Sequence, residues 1–229
     1  MTRLLALETS SEACSVALSL DGETRELHEH APMRHAELLL PAISSLLAEA
    51  GMKVSDLDAI AFGRGPGSFT SLRIGIGVVQ GLAWAADVGV VPCSSLAAVA
   101  YAAVNRAGGF SGQVCVAVDA RMQEVFSAEF TGVKGGPPQH AGAERVCAAG
   151  AVPRPASDAW IAAGNGFARF SELAGLAGDA SACFADLWPR ASCIADLALD
   201  WLSRHPALPA SGAQPVYIRN DVAEKPTPG

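Results

Sequence analysis

The chain has 229 residues, of which half are apolar and 17% are charged, and its formal net charge is -7 at pH 7. This length can bury one large core or two small ones, and the composition excludes a chain that is disordered throughout. The negative charge also makes extensive direct binding to nucleic acid unfavourable, because a phosphate backbone repels it.

The cysteines and the hydrophobic stretches indicate a cytoplasmic protein. The six cysteines include no Cys-x-x-Cys pair, which favours reduced, mostly buried thiols over disulfides or a zinc site. The apolar run at 4–7 is too short for a signal peptide. The longest uncharged segment, 88–105, contains Pro92 and a serine pair, so we expect a strand and a helix there and no membrane span.

In chain order, the first half is predicted to contain three strands followed by alternating helices and strands. The strands are predicted at 3–8, 14–20, 23–30, 59–62 and 88–93, and the helices at 35–50, 71–86 and 95–106. Asp21-Gly22 is typical of the tight turn between the second and third strands. This order predicts an antiparallel trio of strands that parallel strands extend into one mixed sheet.

The segment Gly108-Gly109-Phe110-Ser111-Gly112 breaks the composition and marks a boundary between two lobes. We predict an N-terminal lobe at 1–107, with the glycine turn described below, and a C-terminal lobe at 108–229. The second lobe is less regular, with a loop predicted at 132–139, a strand at 160–163 and a terminal helix at 191–203. This terminal helix is free to pack back on the first lobe.

The opening pattern of the chain recurs after this boundary. Residues 5–8 and 116–119 each end an apolar strand with a carboxylate, and each is followed by a turn and a second strand. A duplicated unit of roughly a hundred residues would explain both the recurrence and the chain length.

The turn Gly63-Arg64-Gly65-Pro66-Gly67-Ser68-Phe69-Thr70 joins an apolar strand to a long helix. Backbone N–H groups and the helix dipole favour an anion at such a junction. The turn lacks the lysine of a Walker loop, and a serine replaces the third glycine of the dinucleotide fingerprint. Two interpretations stay open: a tight connection, or an anion or nucleotide site with candidate contacts Glu8, Thr9, Ser10, Gly65, Gly67, Ser68, Thr70 and Asp119.

Glu8 and Asp119, at the ends of the first strand of each lobe, are the candidate catalytic carboxylates. The alternative is that each caps its own turn. The clustered histidines, His28, His30 and His35, lack the spacing of metal ligands on a helix, so no metal site is predicted. No serine lies in a Gly-x-Ser-x-Gly turn, and no catalytic residue is assigned.

The helices predicted at 35–50 and 71–86 have more apolar surface than one buried face requires. Between Ser71 and Asp87, the strongly polar side chains are only Arg73, Gln80 and Asp87, spaced by seven residues. The two helices either cover each other or form a surface for a partner, and we favour the partner. The candidate interface residues are Leu39, Ile43, Leu46, Ile74, Val78 and Gly81.

Several motifs together resemble the TsaB family, also called YeaZ. They are Leu7-Glu8-Thr9-Ser10, His35-Ala36-Glu37, Gly65-Pro66-Gly67-Ser68-Phe69-Thr70-Ser71-Leu72-Arg73-Ile74-Gly75, Asp119-Ala120-Arg121-Met122-Gln123-Glu124-Val125-Phe126 and Tyr217-Ile218-Arg219. The resemblance extends across the chain and is weakest at 132–157. Ser71 stands where many relatives have glycine, a small change that should not disturb the turn.

The resemblance implies an α/β fold of the actin-like and sugar-kinase-like (ribonuclease H-like) type, with two lobes that each open with three antiparallel strands. It also implies a non-catalytic subunit of the bacterial complex that forms N6-threonylcarbamoyladenosine next to the anticodon of tRNA. In that complex a TsaD-like subunit carries the metal and catalyses the transfer, and a TsaE-like ATPase joins the pair.

On the same resemblance, this chain requires no cofactor, and ATP and the metal belong to the partner subunits. It forms a homodimer when alone, through its first two helices, and it meets tRNA only through the complex. An independent ATP-dependent phosphotransferase or ATPase of the actin-like superfamily remains the alternative.

Overall fold

The first half of the chain forms a five-stranded mixed sheet in the computed structural model, which describes residues 2–219. Its strands are β1 (Leu4–Glu8), β2 (Ala13–Leu20), β3 (Glu23–His30), β4 (Ala59–Gly63) and β5 (Gly89–Cys93). They lie in the order β3-β2-β1-β4-β5, and β1 pairs antiparallel with β2 and parallel with β4. Every residue of β1 is buried, as a central strand covered on both faces requires.

The second half repeats this topology. Its strands are β6 (Gly112–Asp119), β7 (Glu124–Val133), β8 (Gly136–His140), β9 (Arg145–Ala148), β10 (Trp160–Ala163) and β11 (Ala182–Phe184). The order β8-β7-β6-β10-β11 matches that of the first sheet strand for strand, and β9 also pairs with β7. The predicted two-lobed, actin-like fold, with an antiparallel trio opening each lobe, is confirmed.

The helices flank these two sheets. They are α1 (His35–Glu49), α2 (Phe69–Ala86), α3 (Ser95–Arg106), α4 (Gly166–Arg169), α5 (Ser171–Ala177) and α6 (Ala191–Leu202). Helix α2 begins two residues before the predicted start, because the Leu72 N–H already donates to the Ser68 carbonyl at 2.9 Å. The Asp21-Gly22 turn is confirmed, and both residues have positive φ angles, of 54° and 90°.

The predicted loop at 132–139 is wrong. Strand β7 continues to Val133, and β8 follows after a turn in which Gly135 has a φ of 76°. Pro137 and Pro138 lie within β8, and they obscured the strand in the sequence. Proline is tolerated there because β8 is an edge strand, where a backbone N–H need not pair.

Helices α3 and α6 are exchanged between the two sheets. Helix α3, from the first half, packs its Leu96 and Val99 into a core with Phe130 of β7. Helix α6, from the second half, packs its Ile194 against the first sheet, in a core with Leu4 of β1. Each sheet therefore takes one of its covering helices from the other half of the chain. A lobe boundary at residue 107 stays a prediction.

Glu26 of β3 fixes the start of helix α6. Its carboxylate accepts hydrogen bonds from the Ser192 backbone N–H at 3.0 Å and from the Arg190 guanidinium at 2.7 and 2.9 Å. Ser15 completes the contact by donating to Glu26 and accepting from the Ala191 N–H. Burial raises the pKa of Glu26, but the hydrogen bonds from Arg190 and Ser192 outweigh it, so this pKa lies below its ordinary value.

We expect Glu26→Gln to lower the free energy of unfolding by about 2 kcal/mol at neutral pH, less than for a fully buried pair because Arg190 is half exposed. Because the folded-state pKa of Glu26 is depressed, its stabilisation is present above the ordinary value of 4.5 and is lost as the pH falls through the folded-state value. Urea unfolding at several pH values measures both effects.

Glu23→Gln is the matched control, since Glu23 is an exposed glutamate of the same strand. It should change the free energy of unfolding by less than about 0.5 kcal/mol. Equal losses in the two variants would show that Glu26 has no special role in holding α6.

Candidate functional site

The two lobes enclose a cleft of about 680 Å³, here called the interlobe cleft. It lies at the carboxyl ends of β1 and β6, the edge at which open α/β sheets bind ligands. The glycine turn and the start of α2 line one side, residues 118–121 line the other, and residues 216–219 complete the wall. Its volume is in the range of small-molecule sites.

The glycine turn packs directly on the turn that follows β1. The Ser68 N–H donates to the Ser10 carbonyl at 2.7 Å, and the Thr9 hydroxyl donates to the Ser71 carbonyl at 3.0 Å. A Cβ atom at Gly67 or Gly75 would clash with Ser10 or Thr9, respectively, at well under 3.0 Å. Gly67 therefore makes room for the Ser10 backbone and Gly75 for the Thr9 side chain, as in a tight connection.

Glu8 is sequestered beneath this contact. It is fully buried, and its carboxylate accepts from the Ser10 N–H at 2.6 Å and from the Ser95 hydroxyl at 2.8 Å. Burial raises the pKa of Glu8, against the effect of these hydrogen bonds. The geometry is that of a carboxylate that caps its own turn.

Asp119 lies at the equivalent position in the second lobe and does line the interlobe cleft. Its carboxylate accepts from the Arg121 N–H at 3.0 Å and pairs with the guanidinium groups of Arg169, at 3.3 Å, and Arg121, at 3.7 Å. Its own N–H donates to Asn165. Asp119 therefore also caps its turn, and two arginines balance its charge.

The candidate anion contacts divide between the cleft and the protein interior. Glu8 and Thr9 are buried in the contact between the two turns, and Gly65, with a φ of 95°, shapes the glycine turn. The candidates that line the interlobe cleft are Ser10, Gly67, Ser68, Thr70 and Asp119.

The three histidines do not converge on one point. The His35 ring nitrogen Nε2 lies 3.2 Å from the Ala13 carbonyl oxygen, and the His30 ring contacts the Trp188 ring at a tilt of 59°, with centroids 5.3 Å apart. Over residues 2–219, no group of three or more His, Cys, Asp or Glu side chains could hold a metal ion. The cysteines are free, and burial raises the pKa of the Cys93 thiol to about 12.

The candidate interface residues also divide into two groups. Leu39, Ile43 and Leu46 are wrong as partner contacts, because they are at most 3% exposed and belong to the core between α1, α2 and the first sheet. Ile74 and Val78 are partly buried, and Gly81 is exposed with open space beside it. Helices α1 and α2 thus cover each other in part and still leave an outward face.

Sequence reasoning missed the most exposed residues of this outward face. Trp84 on α2 is 83% exposed, and Leu40 on α1 is 52% exposed. Trp84 follows Gly77 and Gly81 at helical spacing, so the periodicity of α2 could have placed it on the same face. We call this surface, formed by Leu40, Ile74, Gly77, Val78, Gly81 and Trp84, the outer face.

Helix α2 has the length and apolar composition of a membrane-spanning helix, and only 28% of its residues are buried. It is nevertheless the crossover between β4 and β5, and Leu72, Ile76 and Val79 on its inner side are buried. The surplus apolar surface is therefore confined to the side that points away from the sheet.

A family model described as "TsaD: tRNA N6-adenosine threonylcarbamoyltransferase" matches residues 28–204, which is more than half of the chain. The chain therefore belongs to the broad family that this model describes.

Full-length relatives give a narrower assignment. Proteins named "tRNA threonylcarbamoyladenosine biosynthesis protein TsaB" from Haemophilus influenzae and Escherichia coli are 38% and 35% identical over 99% of this chain, and the matches cover 97% and 99% of those proteins. The solved structure "YeaZ from Pseudomonas aeruginosa" is 41% identical with a TM-score of 0.85, covering 95% of this chain and all of that one. Within the broad family, this chain is a member of the TsaB (YeaZ) family.

Two glycines of α2 test the contact between the turns. Gly75→Ala should lower the free energy of unfolding by about 2 kcal/mol, because its Cβ would displace the buried Thr9 side chain. Gly77→Ala should instead raise it by up to about 1 kcal/mol, since space is open there and alanine favours the helix. Chemical denaturation measures both, and a stabilising Gly75→Ala would contradict the close packing of the turns.

Proposed function

We propose that this chain is a non-catalytic subunit in the formation of N6-threonylcarbamoyladenosine in tRNA, and that it binds a TsaD-like catalytic subunit through its outer face. Membership of the TsaB family supports the pathway, since the relatives are named for threonylcarbamoyladenosine biosynthesis. The scaffold role rests on the features of the chain itself.

The outer face is the observation that carries this proposal. Gly77 and Gly81 have no atoms within 4 Å of where a Cβ would be, so another helix can approach the backbone of α2 closely. Trp84, about one helical turn after Gly81, and Leu40 on α1 are exposed apolar side chains, and tryptophan is enriched among residues that dominate binding energy. A contiguous exposed apolar surface is typical of a protein interface.

The environments of the two candidate carboxylates, Glu8 and Asp119, support a non-catalytic role. Glu8 is buried and hydrogen-bonded within its turn, and Asp119 is paired with two arginines. We therefore propose that ATP and metal chemistry belong to the partner subunits, the TsaD-like enzyme and a TsaE-like ATPase. With a net charge of -7, the chain would meet tRNA only within that complex.

We further propose that the chain alone forms a homodimer through the same outer face, which would otherwise stay exposed to water. We expect it to act in the cytoplasm, where its six free thiols suit a reducing compartment.

An independent ATPase or phosphotransferase is the second candidate, and the interlobe cleft is the observation that favours it. The cleft is large enough for a small ligand, and Ser68 and Thr70 line it at the start of α2.

Trp84→Glu tests the interface. It should weaken binding to the purified TsaD-like subunit by roughly a hundredfold, because it places a charge in an apolar contact. Its fold should be unchanged, since the side chain is 83% exposed. Titration calorimetry measures the affinity, and tRNA modification by the reconstituted complex should fall in parallel.

Met122→Glu is the matched control, an exposed apolar residue of the second lobe outside the outer face. It should leave the affinity within about twofold. Unchanged binding by Trp84→Glu would reject the outer face as the docking surface.

The ATPase alternative is tested on the purified chain with ATP and magnesium. We expect no turnover above background, and no difference between the natural chain and Asp119→Asn. A steady release of phosphate that Asp119→Asn abolishes would replace the scaffold assignment with an enzymatic one.

A further inference from the structure

Arg73, near the start of α2, belongs to an exposed stack of three side chains. Its Nε–H donates to the Tyr217 hydroxyl at 3.0 Å, and its guanidinium carbon lies 4.0 Å from the centroid of the Phe69 ring. The Phe69 and Tyr217 rings are themselves 5.2 Å apart. The three side chains come from α2 and from the segment after α6, and together they hold one guanidinium in a defined place.

No carboxylate pairs with this guanidinium among residues 2–219. The other arginines, apart from Arg25, each form an ion pair with an aspartate or glutamate. Arg25 is an exposed residue of the edge strand β3. Arg73 differs from Arg25 because aromatic contacts and a hydrogen bond have already restricted its rotamers, so less entropy is lost when an anion binds.

Arg73 is also continuous with the outer face. It directly precedes Ile74 and lies one helical turn before Gly77. The remainder of that face is apolar, so a partner that covers it would remove water from the guanidinium. A buried positive charge is unfavourable unless a negative charge pairs with it. Arginine and tyrosine are both enriched among the residues that dominate interface energy.

We propose that Arg73 anchors the subunit interface by binding a carboxylate of the TsaD-like subunit, with Phe69 and Tyr217 as positioning residues. This inference rests on the proposed function. A protein carboxylate fits better than a nucleic-acid phosphate, because recognition of a phosphate backbone uses several cations and Arg73 stands alone on an apolar surface. The guanidinium fork retains both Nη groups for a bidentate contact.

The test is calorimetric titration of the full chain with the purified TsaD-like subunit. Arg73→Gln should raise Kd roughly 30-fold and remove most of the dependence of Kd on salt concentration. Arg25→Gln, the matched control, should leave Kd within about twofold. Arg73→Lys should recover only part of the affinity, because an ammonium group lacks the planar fork.

The positioning role has a separate readout. Tyr217→Phe removes the acceptor of the Nε–H and should raise Kd less than Arg73→Gln does. In the Arg73→Gln background it should have no further effect, since the two residues act through one contact. The carboxylate that Arg73 binds can be found by changing the aspartates and glutamates of the TsaD-like subunit to amides one at a time. One of these variants should raise Kd with the natural chain and leave Kd unchanged with the Arg73→Gln chain.

Each other outcome overturns the inference. If Trp84→Glu weakens binding and Arg73→Gln does not, the outer face is the interface and Arg73 is not its anchor. If neither variant has an effect, the proposed function itself fails. If Arg73→Gln lowers the affinity of the chain alone for tRNA, the ligand is a phosphate. If it changes only the self-association of the chain, the occupant is a second copy.

Discussion

The turn after β1 packs directly on the glycine turn, and the rest of the first lobe depends on this contact, because it holds the start of helix α2 in place. The Ser68 N–H donates a hydrogen bond to the Ser10 carbonyl. Gly67 and Gly75 have no side chain, which leaves space for Ser10 and Thr9. The N–H groups that a phosphate would use in a nucleotide-binding protein are thus partly occupied by the chain itself. The same contact sets the direction of α2, and with it the position of the outer face.

Helices α3 and α6 each pack on the sheet that the other half of the chain forms, and this exchange joins the two similar halves. Each helix is buried against the sheet of the other half, so relative movement of the lobes would expose apolar surface. Ion pairs between the two halves strengthen this connection: Arg190–Glu26 beside α6, Arg121–Glu12 at the interlobe cleft, and Arg64–Glu144. A domain that closes on a ligand needs the opposite arrangement, a small interface with a hinge. The shared cores suit the proposed role of a subunit that presents a surface to a partner.

Local signals in the sequence predicted most of the fold and part of the site. Alternation of strands and helices and the Asp21-Gly22 turn depend on neighbouring residues, and they were predictable for that reason. The sequence did not predict that the side chains of Leu39, Ile43 and Leu46 face the core, because several leucines in succession allow more than one buried face. Glu26 appeared to be an ordinary polar residue of an exposed strand, and only long-range packing brings Arg190 and α6 to it.

The exchange of helices also affects how the protein is made. Strands β1 to β5 are synthesised well before α6, whose residues 191–202 complete the apolar cover of the first sheet. The first sheet therefore lacks the cover of α6 while residues 94–190 are synthesised. During that interval the nascent chain exposes apolar residues of the first sheet that α6 buries in the finished protein.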